Sequence, residues 1–138
     1  MGVAVIIAII AFNVFNEADK AFNIYSKQPI FEIESRFTKP ITSPLTGPLY
    51  TTLTYEVFKN TKPFDNAKVK FELIGDNGAM FDNDRRIFVT TTDAQGQAFV
   101  KIKAVKEGND ILKATVIIEA VFDEFEFPDD RKYSFSTS

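Results

Sequence analysis

The chain has 138 residues, a net charge of −3, no cysteine and no histidine. Lacking Cys, it has no disulfide and no thiolate chemistry; lacking His, it has no Ser–His or Cys–His arrangement and loses the commonest general base and metal ligand. Acidic and basic residues are interspersed and no basic stripe is present, which argues against a nucleic-acid partner.

The first stretch, Met1 to Phe15, reads MGVAVIIAIIAFNVF and carries no charge. Its β-branched residues would suit a buried strand, but the residues after it favour a helix. Phe15, Ala18, Phe22 and Tyr25 recur at spacings of three and four, with Asn16, Glu17, Asp19, Lys20 and Asn23 on the other face. Pro29 supplies a stop. The spacing predicts one helix from about Val3 to Lys27, within an N-terminal unit 1–29. It is apolar all round in its first half and one-faced in its second. A secretory signal peptide would need a basic n-region, which the run lacks. About 15 apolar residues are few against the roughly 18–20 of a membrane span. The expected roles are an assembly helix or a membrane anchor, with Val3, Val5, Ile6, Ile7, Ile9, Ile10, Phe12 and Phe15 making the contact. Phe22 and Tyr25 are expected to seat the following domain. This two-part helix ahead of a β domain resembles the mature N-terminus of type IV pilin-like proteins. Val5 stands where bacterial pilins usually carry Glu, so the resemblance leans towards the archaeal members. It implies helices bundled in a filament core.

Residues 30–138 read as one β domain. Ile30 to Phe37 alternates, with Phe31, Ile33 and Phe37 on one side and Glu32, Glu34 and Arg36 on the other. The connection 38–48 holds Pro40, Pro44 and Pro48, which exclude a helix or a central strand. Leu49 to Lys59 places Leu49, Thr51, Leu53, Tyr55 and Val57 on one face. Lys68 to Ile74 alternates most cleanly, with Val69, Phe71 and Leu73 inward. A loop from Gly75 leads to a strand over Arg86–Thr92. Ala98 to Val105 sets Ala98, Val100, Ile102 and Ala104 inward. Ile111 to Phe122 is expected as one long strand with Leu112, Ala114, Val116, Ile118 and Ala120 in register. Phe125 and Phe127 alternate with Glu124 and Glu126, and a last strand covers Lys132–Ser136. About seven strands with turns between them and no helix predict a mainly β protein with an antiparallel sandwich; a barrel is the alternative.

The span Ala67 to Val116 resembles bacterial immunoglobulin-like domains of the invasin/intimin type. The central motif is Thr92, Asp93, Gly96 and Ala98, in VTTTDAQGQAF. The turn explains it physically: Asp93 can accept backbone N–H bonds and Gly96 can take a positive φ. The resemblance implies an Ig-like sandwich in a stalk, spacer or adhesin, with no catalytic residues.

Asp76, Asp82 and Asp84, with Asn77 and Asn83, gather oxygen ligands in one loop and make calcium the one cation to consider, although the EF-hand pattern fails. Otherwise no cofactor is expected. The acidic stretch Asp123, Glu124, Glu126, Asp129 and Asp130 reads as the outward side of an edge strand. The expected function is a non-enzymatic structural subunit of an extracellular, pilus-like filament, a homo-oligomer that is membrane-associated before assembly. The alternatives are a single-span accessory subunit of a membrane complex, or a cell-surface adhesin module.

Overall fold

The computed structural model describes residues 32–138. The expected helix, with Val3 to Phe15, Phe22 and Tyr25, lies outside the described residues. Ten strands follow: β1 (Ile33–Phe37), β2 (Thr51–Lys59), β3 (Lys62–Pro63), β4 (Lys68–Gly75), β5 (Ala79–Phe81), β6 (Ile87–Thr91), β7 (Gln97–Ala104), β8 (Gly108–Glu119), β9 (Glu124–Pro128) and β10 (Tyr133–Thr137). They build two five-stranded sheets. One has the order β1-β2-β7-β5, with β3 on β2; the other has β10-β8-β4-β6, with β9 also on β8. Every pairing between strands is antiparallel.

Alternation decides which side of each strand is buried. Leu53, Tyr55 and Val57 of β2 and Ala98, Val100 and Ile102 of β7 face Val69, Phe71 and Leu73 of β4 and Leu112, Ala114 and Val116 of β8. Phe71 ties the layers together: its ring meets Tyr55 edge-on at 5.5 Å and Phe37 at 5.9 Å. Complete burial of such a ring contributes about 2–3 kcal/mol. Thr115 and Ile117 are buried too. The middle of β8 is thus covered on both faces.

The structure departs from the sequence expectation in three places. Leu49 is 79% exposed, because β2 begins only at Thr51, three residues after Pro48. The long strand expected over Ile111–Phe122 stops at Glu119, and the chain reverses through Ala120–Asp123, where the Ala120 N–H bonds the Asp123 carbonyl at 2.7 Å. Ala120 therefore sits outside the register, and β9 returns along β8. The loops after β2 and β4 each contain a short strand, β3 and β5, of two and three residues. Such strands are too short to show a period of two. The proline-rich connection acts as an edge segment: Leu45 is buried and makes an isolated parallel bridge to Thr137.

The Thr92–Ala98 motif forms the turn expected of it. The Asp93 carboxylate accepts the Gln95 and Gln97 N–H groups at 2.9 and 3.0 Å. Buried Thr92 accepts the Ala67 N–H at 2.8 Å and donates to the Phe64 carbonyl. Gly96 has φ +77°, and a Cβ there would stand 2.7 Å from the Val57 carbonyl oxygen. Gly96→Ala combines left-handed strain with that collision and should cost about 2 kcal/mol or more. Asp93→Ala, which loses two acceptor bonds, should cost about 1–2 kcal/mol. Urea unfolding checks both; an unchanged midpoint for Gly96→Ala would show that the turn tolerates a side chain.

Candidate functional site

The most developed polar site lies along one seam of the sandwich. β1 is the edge of its sheet, and β9 and β10 in turn form the edge of the other. Between β9 and β10 the chain breaks at Pro128–Lys132, and this break points the Asp129 carboxylate inward. Its side chain is only 2% exposed. Oδ2 accepts the hydroxyls of Tyr55 at 2.8 Å and Tyr133 at 2.7 Å. Oδ1 accepts Arg131 Nε at 2.9 Å and the Arg131 backbone N–H at 3.1 Å. Tyr55 also lies 2.7 Å from the Ser35 hydroxyl. A phenol has one proton and an ionised carboxylate only accepts, so Tyr55 donates to Asp129 and accepts from Ser35.

Arg131 crosses the seam as well. Its Nη2 donates to the Ser35 carbonyl, a group that β1 turns away from β2. The Phe37 and Tyr133 rings meet edge-on at 4.7 Å. The exposed edge of β1 is thus occupied by side chains of the opposite sheet where a neighbouring strand would otherwise pair.

Electrostatics follow from this packing. Burial alone would raise the Asp129 carboxyl; hydrogen bonds from the Arg131 guanidinium, Tyr133, the Arg131 N–H and Tyr55 outweigh it and hold the group below its ordinary value. Burial pushes the Tyr55 phenol far up, opposed by the bond from Ser35. Burial and the bond to Asp129 push Tyr133 up to about 12. Arg131 is raised by its bond to Asp129. At neutral pH both phenols stay protonated and the carboxylate stays charged, with both its oxygens occupied. The cluster is built to hold its protons in place. A cleft of about 360 Å³ opens above it, between Ile33, Glu34 and Arg36 on one wall and Phe127, Asp130 and Arg131 on the other.

The expected metal residues sit apart from this seam and have separate partners. Asp76 accepts the Asn109 N–H at 3.0 Å. The Asp82 N–H bonds the Lys101 carbonyl, and the Asp84 carboxylate lies 3.9 Å from Lys103. Among the described residues no three His, Cys, Asp or Glu side chains are grouped to hold a metal ion. A second buried ion pair does occur at the end of the sandwich opposite the Thr92–Ala98 turn. Asp110 accepts Arg86 Nη2 at 3.0 Å and the Gly78 N–H at 2.8 Å, and Arg86 also donates to the Ala79 carbonyl. Within the acidic stretch, Asp123, Glu124 and Glu126 are exposed as expected of an edge, whereas Asp129 is the centre of the cluster. Sequence reasoning placed Tyr55 in the core and left Arg131 unassigned. The available signal was a Tyr at an inward position of a chain that otherwise uses Phe there, since a buried phenol needs a partner.

Fold and site together define a mainly β sandwich of two antiparallel sheets, locked along one edge by a buried carboxylate. No protein-family model and no curated protein matches the sequence. Two solved structures are similar at a distance. WR4, a C. elegans MSP family member, has 10% identity and a TM-score of 0.38 over 80% of this chain and 97% of its own. The ASH/PapD-like domain 7 of human CEP192 has 16% identity and a TM-score of 0.34 over 76% and 82%. Among the described residues no helix is long and apolar enough to cross a membrane.

Asp129→Asn should destabilise the domain by about 2 kcal/mol at pH 7, since it weakens five bonds to a buried group. A carboxyl whose folded pKa is depressed contributes stability above its unfolded value, and the contribution is lost as pH falls through the folded value. The gap between wild type and Asp129→Asn should therefore narrow below about pH 4 in unfolding titrations. A gap independent of pH would mean that Asp129 acts through shape alone.

Proposed function

We propose that this chain is a non-enzymatic structural subunit of an extracellular, pilus-like filament, assembled through its N-terminal apolar segment, with an Ig-like sandwich displayed outside. The uncharged run Met1–Phe15 carries this reading. Such a run needs a partner that removes it from water, and it is short for a lone membrane span. Bundling with copies of itself buries it on every side, and head-to-tail contacts leave the assembly open-ended. Before assembly the same run would rest in a membrane. Two features of the sandwich support a structural role. Its most developed polar cluster has its protons fixed by hydrogen bonds, and the β1 edge is covered by the Arg131 bond to Ser35 and the Tyr133 ring on Phe37. The role needs no cofactor and no calcium.

Full-length protein extracted in detergent should form uniform filaments by negative-stain electron microscopy. Ile6→Asp or Ile9→Asp should abolish them while leaving the unfolding midpoint of the sandwich unchanged within about 0.5 kcal/mol. Filaments that persist in both variants would exclude assembly through this segment. Compact particles containing other polypeptides would instead favour an accessory subunit of a membrane complex.

A further inference from the structure

Val121 and Phe122, at the tip of the β8–β9 hairpin, are the two most exposed large hydrophobic residues among those described, at 88% and 94%. Turn chemistry does not ask for them. The four-residue link Ala120–Asp123 has no positive φ, so its backbone accepts most residue types and has no need of large apolar ones. Two apolar side chains held out in water at such a position call for an occupant that covers them.

Topology indicates which occupant. Ile33 pairs with Lys59, the last residue of β2, and Lys68, the first residue of β4, pairs with Ile117 near the end of β8. The loops between them are joined by the Phe64 to Val57 and Asn66 to Thr92 backbone bonds. The chain therefore enters β1 at the same end of the sandwich from which the hairpin projects. It also enters on the same side. β1 and β9–β10 run in one direction across the seam, with Ile33 beside Phe127, Ser35 beside Arg131 and Phe37 beside Tyr133. Glu32, where the described chain begins, thus stands at the end and on the side from which Phe125 and the tip project.

The preceding sequence supplies a matching surface. Phe15, Ala18, Phe22 and Tyr25 share one face at helical spacing. Tyr25 stands seven residues before Glu32, a reach of up to about 23 Å, and Phe122 stands five residues before Phe127, about 17 Å of strand. Charge argues against a lipid surface as the occupant. Glu119, Asp123, Glu124 and Glu126 are exposed around the tip and would be repelled by anionic headgroups, whereas the preceding segment, with Glu17 and Asp19 beside Lys20 and Lys27, carries no net charge. The two sheet faces offer no alternative seat inside the sandwich, because their apolar sides are packed on each other.

We propose that the Val121–Phe122 tip is the seat of this chain's own amphipathic segment, packing against Phe22 and Tyr25. The inference rests on the assembly reading only in taking residues 15–25 as one apolar face, and it does not need filaments to form. The contact makes the entering segment and the sandwich one lever.

The chain has no Cys, so disulfide trapping is clean. In full-length protein held in detergent, Phe122→Cys combined with Phe22→Cys or with Tyr25→Cys should form a within-chain disulfide under mild oxidation. The yield should exceed tenfold that of a control, Tyr25→Cys with Val105→Cys, whose second site is at the far end of β7. Phe122→Ser, at a site that makes no core contact, should keep the sandwich folded and speed amide exchange in residues 15–31 at least tenfold. Crosslinks no better than the control, crosslinks only between chains, or unchanged exchange in Phe122→Ser would each overturn the proposal. A within-chain crosslink in protein that never forms filaments would uphold the seat and count against the assembly reading instead.

Discussion

A carboxylate that cannot leave its hydrogen bonds sets the arrangement of this sandwich. The two sheets meet through apolar contacts that are strong but without direction, and no disulfide pins them. Asp129 supplies direction. Its two oxygens take bonds from β2, from β10 and from the break between β9 and β10, so the layers can close along this edge in only one alignment. Removing one partner would strand a buried charge or a buried phenol, which costs more than the pair gains over water. The ring group of Phe37, Tyr55, Phe71 and Tyr133 packs directly against it, so alignment and burial support each other.

The same logic recurs at two other clusters of buried polar atoms. Asp110 and Arg86 fix the start of β8 to the loop beside β5. Thr92 holds the ends of β6 and of the loop after β3 together. Each cluster sits at a loop or strand break where backbone groups lack ladder partners, and each satisfies them with side chains. The strands between the clusters are apolar inward and need no such help. Specific alignment is thus concentrated at three points, and the rest of the core has only to fill space.

Much of this was legible in the sequence where one face of a strand is wet. β2, β4 and β7 alternate, and their inward residues are the ones the pattern marks. The Thr92–Asp93–Gly96–Ala98 turn was legible because each residue type answers one local need. β3 and β5 were not, since two or three residues carry no period. The β8–β9 reversal was hidden because its central residues are Val and Phe, which extend an apolar run where a turn usually shows Gly or Asn. The seam was hidden for a different reason. Ser35, Tyr55 and the Asp129–Arg131 pair are far apart in the chain and meet only after both sheets have formed. Only the phenol at an inward position hinted at it.

The direction of β1 has a mechanical consequence. Tension transmitted from the residues before Glu32 enters β1 along its own axis. The ladder to β2 and the Arg131 bond to Ser35 then lie across the line of pull and are strained together. A strand pulled lengthwise must break such bonds at once, whereas one pulled sideways loses them singly. A domain hung from this end would resist stretching far better than its modest size suggests, with the seam acting as a clamp against shear.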